Sequence, residues 1–133
     1  MKIASVTPAQ LLWYTRPVRN LPADLLNWLD LLTEGIPPPA KEFRFHPIRR
    51  WRLDLAWPAL LIGIETHGGI WSGGRHVRGY GFRKDREKMT TAAVTGWLVL
   101  EFTADQIDDD PLGCATLVVA AFNKKGHAIA RLR

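Results

Sequence analysis

The sequence predicts an α/β fold in which a mixed β-sheet is flanked by helices. Apolar residues recur at helical spacing in residues 22–34, which indicates an amphipathic helix. Residues 59–67 and 97–102 are nearly continuous apolar runs, which are typical of strands buried on both faces. Helical and strand-like segments alternate between and after these runs. A sheet covered by helices is the arrangement that buries all of them.

The first predicted element is the helix at 22–34. Leu25, Trp28, Leu29 and Leu32 form its apolar stripe, and a proline in the first turn favours helix initiation. Gly35, followed by three prolines, ends the helix. This segment is therefore expected to cover one face of the sheet.

A β-rich centre follows the helix. Residues 42–46 and 51–57 are predicted strands that pair around a turn at Pro47, and residues 59–67 form the next, buried strand. Residues 68–79 contain five glycines and are predicted to form a loop.

The remaining elements are mostly helical. A helix is predicted at 82–95, with Phe82, Met89 and either Ala92 or Ala93 on one stripe and Gly96 as its cap, followed by the strand at 97–102. Thr103 is the expected N-cap of a short helix that begins there. A last helix at 112–122 completes the order α-β-β-β-α-β-α. We expect one domain with a core at about 22–122, an N-terminal arm at 1–20 and a basic tail at 123–133.

Composition indicates a globular protein with an anionic partner. Hydrophobic residues make up 47% of the 133 residues, charged residues 23%, and the net charge is +5. Residues 41–88 hold eleven Lys or Arg against five acids, whereas the rest of the chain holds seven against eight. The whole basic excess therefore lies in one segment, which suggests an anion such as DNA.

The sequence also argues against several classes of protein. Cys114, the single cysteine, excludes an intramolecular disulfide and a cysteine-rich zinc site, and its apolar surroundings predict that it is buried. No apolar stretch approaches the roughly 20 residues of a membrane helix. No signal-peptide pattern is recognisable, so we expect a cytoplasmic protein that does not contact a membrane.

Three polar residues stand out within the predicted strands. Asp54 interrupts an apolar strand, and Glu65 and His67 lie two residues apart in the next one. Alternation places Leu53 and Leu55 on the face opposite Asp54, and Glu65 and His67 on a common face. If the strands are neighbours, the three polar groups converge at one edge. A carboxylate among apolar residues needs a cation, which can be a metal or a nearby arginine.

Residues after the predicted strand at 59–67 supply further candidates for the site. His76 lies among arginines in the glycine-rich loop and is a candidate general base, although a phosphate or solvent contact explains it equally well. Asp85 is expected to face inward and to pair with a loop donor or with one of the two histidines. Lys88 is expected either to pair with Asp85 or to reach the edge of the sheet.

Four segments, in this order along the chain, carry a resemblance to a known family: RRWRLDLAW, LLIGIETHGGIW, GGRHVRGYGFRKDREK and GWLVLEFT. They resemble the PD-(D/E)xK nuclease superfamily, and the resemblance covers about residues 42–107. More narrowly, they are similar to small phage and bacterial proteins related to the very-short-patch repair endonucleases.

The resemblance implies a restriction-endonuclease-like core. It implies that Asp54 and Glu65 bind a metal, that Glu42 joins them, and that His67 and His76 assist hydrolysis. The superfamily's lysine, two residues after the second acid, is replaced here by His67, and Lys88 is a possible substitute. The cysteine-containing zinc site of the repair enzymes is absent, so mismatch specificity is not expected.

Together these observations predict a Mg²⁺- or Mn²⁺-dependent DNA endonuclease. A homodimer is one route to double-strand cleavage. The alternative is a catalytically degenerate DNA-binding module on the same fold; a structural or assembly role is a third and weaker interpretation. The candidate DNA-binding residues are Arg49, Arg50, Arg52, Trp71, Arg75, Arg78 and Lys84. The simplest alternative for the basic residues is that they are solvated surface charges. The simplest alternative for Trp51 is that it packs in the core.

Overall fold

A four-stranded mixed sheet forms the centre of the protein. The computed structural model describes residues 19–68 and 80–133. The strand order is β2-β3-β4-β5, with β2–β3 and β3–β4 antiparallel and β4–β5 parallel. The strands of this sheet are β2 Ala40–Arg44, β3 Arg52–Trp57, β4 Ile62–His67 and β5 Leu98–Thr103. The predicted mixed sheet flanked by helices is therefore confirmed.

Within the described residues, four helices and a second sheet of two short strands accompany the four-stranded sheet. The helices are α1 Leu21–Leu32, α2 Tyr80–Val94, α3 Ala104–Asp109 and α4 Pro111–Lys124. The two remaining strands are β1 Thr33–Glu34 and β6 Arg131–Leu132. The predicted arm lies outside the described residues, apart from its last two, and so does nearly all of the predicted loop.

Helix α1 begins where its sequence favours initiation. The side chain of Asn20 accepts a hydrogen bond from Ala23 N at 3.1 Å and satisfies one of the free N–H groups of the first turn. Leu25 and Leu29 are buried as predicted, whereas Trp28 keeps 37% exposure. Trp28 lies at the border of the apolar stripe, so its prediction as a core residue was wrong.

The predicted pairing of the first two strands of the centre is confirmed, but the next strand starts later than expected. Pro58–Leu60 forms a 3-10 turn, and Leu61 adopts a left-handed conformation with φ of 55°. The buried strand therefore begins at Ile62. Proline cannot donate to a strand ladder, which explains why the apolar run does not extend at its start.

The two faces of the sheet bury very different amounts of apolar surface. On one face, side chains from α1, α3 and α4 pack on the sheet and form the main core, which includes Leu55 and Ile64. On the other face lies a second cluster of four buried residues, Leu53, Ala56, Ala92 and Trp97. Cys114 is buried in the main core, as predicted. Helix α2 thus has a much smaller apolar contact than the helices opposite it.

The side chains of β3 do not alternate as predicted. Leu53 belongs to the second cluster and Leu55 to the main core, although the two residues are two positions apart. The β2–β3 register is the same before and after Asp54, but Asp54 and the residue opposite it, Glu42, are not paired. Glu42 has φ of 51°, so the irregularity is in both strands. The expectation that Leu53 and Leu55 share a face was therefore wrong.

Helix α2 has the predicted position in the chain but only part of the predicted buried stripe. Ala92 is fully buried and Met89 is partly buried, whereas Phe82 is 47% exposed and Ala93 is exposed. Of the two alanines that the pattern allows on the stripe, Ala92 is therefore the buried one, and the expectation that Phe82 is buried was wrong.

The elements after β5 follow the prediction closely until the chain end. Thr103 caps α3: its Oγ1 accepts a hydrogen bond from Gln106 N, and Gln106 Oε1 accepts one from Thr103 N, which completes a capping box. At the end of the chain Arg131 pairs with Glu34 at 2.9 Å as β6 joins β1. The last residues of the predicted basic tail thus form a strand. No helix in the described parts of the chain is long and apolar enough to cross a membrane.

Close contact between β3 and β4 on the second face depends on Gly63. A Cβ at this position would lie 2.6 Å from Leu53 Cδ1. We predict that Gly63→Ala lowers the free energy of unfolding by about 1–3 kcal/mol because Leu53 must move. Urea denaturation measures the change. In a Leu53→Val background the same substitution should cost clearly less, and an equal cost in both backgrounds would contradict the assigned contact.

Candidate active site

The backbone pairing of β3 with β4 ends before Asp54, and the side chain of Asp54 bonds to β4 in its place. The last residue pair of the β3–β4 ladder on this side is Leu55 with Ile64. Beyond it, Asp54 Oδ2 accepts hydrogen bonds from Thr66 N at 2.7 Å and from Thr66 Oγ1 at 3.0 Å. Asp54 therefore satisfies a strand N–H that the separated backbone leaves free, and its carboxylate lies in the fork between the strands.

Glu65 and Lys88 form the most buried ion pair among the described residues. Lys88 Nζ from α2 lies 2.9 Å from Glu65 Oε1, and the two side chains keep only 15% and 13% exposure. Burial raises the pKa of Glu65, the Lys88 ammonium lowers it, and the negative charge of Asp54 raises it again. Glu65 is thus a carboxylate that needs a cation, and α2 supplies one.

His67 pairs with an acid that the sequence analysis did not select. His67 Nε2 lies 3.1 Å from Glu101 Oε1, and both side chains are about two-fifths exposed, at 41% and 39%. Glu101 lies beside Glu65 in the parallel β4–β5 register. The signal that identified Asp54 and Glu65, a single acid inside an apolar strand, is also present for Glu101 in the run WLVLEF.

The three predicted groups lie at one end of the sheet, each with a different partner. Asp54 binds Thr66, Glu65 binds Lys88, and His67 binds Glu101. Neighbouring residues of a strand project to opposite faces, so Thr66 Oγ1 and the Glu65 carboxylate lie on opposite sides of β4. The negative charge of Asp54 nevertheless acts on Glu65 and raises its pKa. The hydrogen bonds given above link none of the three groups to another of them.

Asp54 and Glu65 are the residues here that could hold a metal. No group of three His, Cys, Asp or Glu residues in 19–68 or 80–133 is arranged to hold a metal ion. A metal bound by the two carboxylates alone would have to keep most of its water. Mg²⁺ commonly binds through one or two carboxylates and keeps several waters. The protein hydrogen bonds described above use one oxygen of Asp54 and one of Glu65, so each carboxylate has a second oxygen to offer.

Two other predicted acids are not close partners of this group. Glu42 is 63% exposed and its nearest cation is Arg52, at 3.9 Å. It lies opposite Asp54 in the β2–β3 register, and the two residues line a small cleft of about 130 Å³. Asp85 pairs with the adjacent Arg86 and keeps 39% exposure, so the prediction that it faces inward was wrong.

The basic candidates that the structure describes lie on the β2–β3 turn, residues 45–51, and on the elements beside it. Arg49 pairs with Glu87 on α2 at 2.6 Å, and Arg50 is exposed. Arg52 begins β3, and Lys84 is exposed on α2. The remaining candidates lie outside the described residues, namely Trp71, Arg75, His76 and Arg78.

Known proteins give no independent indication of function. The sequence matches no protein-family model and no curated protein, and the structure matches no solved structure. Function is therefore argued from the geometry of this chain.

Lys88 is predicted to stabilise the fold through the charge of Glu65. In Lys88→Met the pKa of Glu65 rises further, because the ammonium that lowers it is removed. The pKa of Glu65 is 4.5 in the unfolded chain and higher in the folded protein. Such a carboxyl destabilises the fold progressively as the pH rises from 4.5 through the folded-state pKa. We expect a loss of about 3 kcal/mol near pH 8 that shrinks toward pH 4.5, measured by urea denaturation at both pH values.

A double variant controls for the lost side chain. Glu65→Gln with Lys88→Met removes both charges, and it should recover most of the stability and lose the pH dependence of the single variant. An equal loss at both pH values in Lys88→Met alone would show that the lysine stabilises the fold by packing rather than by charge.

Proposed function

We propose that this protein is a Mg²⁺- or Mn²⁺-dependent endonuclease that hydrolyses phosphodiester bonds in DNA, with Asp54 and Glu65 as the metal-binding carboxylates. The observation that carries the proposal is the position of Lys88. The sequence has His67 where the resembled superfamily has lysine, but α2 brings Lys88 Nζ to 2.9 Å from Glu65. A cation beside the second carboxylate is therefore present in space although it is missing from the sequence motif.

The electrostatics of Glu65 support a metal at this position. Burial and the neighbouring charge of Asp54 both raise the pKa of Glu65, so a second cation near the two carboxylates stabilises their ionised forms. A divalent cation bound there supplies Lewis-acid charge at the phosphate and makes water more acidic. Glu42 has a 63% exposed side chain and contributes to this proposal only through the shared cleft.

His67 and Glu101 provide a route for the proton that hydrolysis releases. The contact at 3.1 Å favours the tautomer in which His67 Nε2–H donates to Glu101 Oε1. His67 Nδ1 then keeps its lone pair and can take a proton from the attacking water. Glu101 acts through His67 and is a positioning residue in this proposal, and His76 is the second candidate base.

The DNA-binding residues are proposed from their position and charge. Arg49, Arg50 and Arg52 surround the β2–β3 turn, and the turn is tied to α2 through the ion pair between Arg49 and Glu87. Glu87 directly precedes Lys88, so the turn and the candidate site are linked through one turn of the same helix. Lys84, Arg75 and Arg78 extend the proposed phosphate contacts, and Trp71 is a candidate base contact.

A second candidate function is DNA binding without hydrolysis. The observation that favours it is that Lys88 already neutralises Glu65, at 2.9 Å, while Asp54 is engaged by Thr66. A degenerate site of this kind binds DNA in a salt-sensitive way and hydrolyses none.

Plasmid relaxation separates the two functions. Purified protein should nick or linearise supercoiled DNA with Mg²⁺ or Mn²⁺ but not with EDTA, because the metal supplies the Lewis acid. Asp54→Ala should abolish cleavage, and so should Asp54→Asn, which retains an acceptor for Thr66. Both should bind DNA nearly as well as the parent. Asp30→Asn, at an exposed carboxylate on α1, is the matched control and should cleave normally.

Each outcome of this assay has a defined meaning. Nicked product indicates one acting site, and linear product formed without a nicked intermediate indicates two sites acting together, as in a homodimer. Normal cleavage by Asp54→Asn would overturn the site assignment. DNA binding without cleavage under either metal would favour the degenerate module.

The pH dependence of cleavage tests the role of His67. His67→Ala should lower the rate by about 10²-fold and remove the loss of activity on acidification, since a general base must be unprotonated. Glu101→Ala should give a smaller loss, and Glu101→Gln should restore most of it because its amide oxygen still accepts from Nε2–H. An unchanged pH profile in His67→Ala would assign the base to another residue.

A further inference from the structure

The β2–β3 turn presents an isolated apolar side chain at the centre of an arginine cluster. Ile48 is 85% exposed, and Arg44, Arg49, Arg50 and Arg52 lie within four residues of it. No Asp or Glu occurs between Arg44 and Arg52. A single exposed apolar residue is ordinary on a protein surface. Its place within four cations is what requires an explanation.

Hydrogen bonds to one histidine hold the turn in a fixed shape. His46 Nδ1 accepts from Ile48 N at 3.2 Å and from Arg49 N at 2.9 Å. Two N–H groups can converge on Nδ1 only when that nitrogen has a lone pair, so the ring carries its proton on Nε2. The backbone at Ile48 is thereby fixed before any partner arrives.

An aromatic stack connects the turn to the second cluster. Phe45 lies 6.0 Å from Trp97 and 6.1 Å from Trp51, measured between ring centroids. Arg49 extends over the Trp51 ring at 4.9 Å and pairs with Glu87. The base of the turn is therefore supported on two sides while Ile48 projects into solvent, and little further conformational entropy is lost when it binds.

Apolar tips flanked by arginines match one chemistry closely. Proteins that kink duplex DNA insert an apolar side chain such as isoleucine between base pairs, while neighbouring cations contact the phosphates. Single-stranded DNA is bound instead through aromatic faces, but the face of Trp51 is covered here by Arg49. Duplex DNA is thus the partner that fits this surface.

We infer that the β2–β3 turn is a wedge for duplex DNA, in which Ile48 enters a base step and the surrounding arginines bind the flanking phosphates. This inference rests on the proposed function and specifies its substrate as duplex DNA that is unstacked at one step. The wedge favours steps that unstack readily, namely pyrimidine–purine steps and nicks. Because Arg49 binds α2 next to Lys88, the kinked step lies close to the candidate site.

Fluorescence of 2-aminopurine tests the wedge directly. The probe is a duplex with 2-aminopurine at a central TA step, and the protein is the full chain carrying Asp54→Asn, so that DNA stays intact. Binding should raise the fluorescence, because unstacked 2-aminopurine is brighter. Adding Ile48→Ser should remove the rise and weaken duplex binding about tenfold, the lower end of a single anchor residue's contribution.

Matched variants separate the wedge from charge and folding. Ile129→Ser alters an isoleucine of 68% exposure far along the chain and should leave the rise intact. Arg50→Ala should weaken duplex binding and lower the slope of log affinity against log salt by about one, the value for one lost phosphate contact. The rise in 2-aminopurine fluorescence should be retained at saturating protein. His46→Ala should reduce the rise, and His46→Asn, which keeps a side-chain acceptor, should restore part of it.

The outcomes distinguish failure of the wedge from failure of the proposed function. An undiminished rise with Ile48→Ser at saturating protein would overturn the wedge, whether or not the parent cleaves DNA. A rise that depends on Ile48 in a protein that cleaves nothing would support the wedge and favour the degenerate module. Absence of duplex binding by the parent would overturn both proposals.

Discussion

The ion pair between Glu65 and Lys88 determines how the second face of the sheet is assembled. Helix α2 contributes one fully buried side chain from residues 82–94, Ala92, so apolar burial holds it only weakly. Two ion pairs also connect the helix to the rest of the protein: Lys88 with Glu65, and Glu87 with Arg49. A buried pair is costly to break because the remaining charge is left without a partner. The position of α2 therefore depends on the charge state of Glu65.

This dependence links the fork between the strands to the surface that is proposed to bind DNA. Glu65 lies on β4 beside the fork, Lys88 extends from α2 to it, and Glu87 on the same helix fixes Arg49. A change of charge at Glu65 acts first on Lys88 and then, through the helix, on the β2–β3 turn. The main core on the opposite face has no part in this chain of contacts. It can keep the sheet rigid while the second face responds.

The sequence predicted the elements well because each depends on a local pattern. The helical stripe of α1, the capping box at Thr103 and the apolar run that becomes β5 were all visible in short windows. The pairing of β1 with β6 was not, because strands of two residues carry no periodicity and lie about 100 residues apart. The buried face of α2 was predicted less well, since Phe82 is exposed and a helix with few buried side chains has little apolar pattern to read.

The candidate site was predictable in part, for a related reason. An acid inside an apolar strand is visible in the sequence, and this signal identified Asp54 and Glu65. It also marks Glu101, which was missed because no motif placed it beside His67. The orientation of Leu53 could not be predicted, because alternation assumes an unbroken ladder. At Asp54 the backbone ladder is replaced by a hydrogen bond from Thr66 N to the Asp54 side chain, and no sequence pattern predicts this replacement.

The negative charges at this end of the sheet would repel the phosphate of the proposed substrate. Asp54, Glu65 and Glu101 bring three carboxylates, and the Lys88 ammonium directly neutralises one of them. A phosphodiester placed here without another cation meets net negative charge, and water screens such repulsion poorly beside a half-buried group. The arginines of the turn can attract DNA at a distance but do not contact these carboxylates in the described residues. The proposed phosphate binding at the fork would therefore need a further positive charge near Asp54 and Glu65, and the proposed hydrated divalent cation would supply it to the carboxylate oxygens.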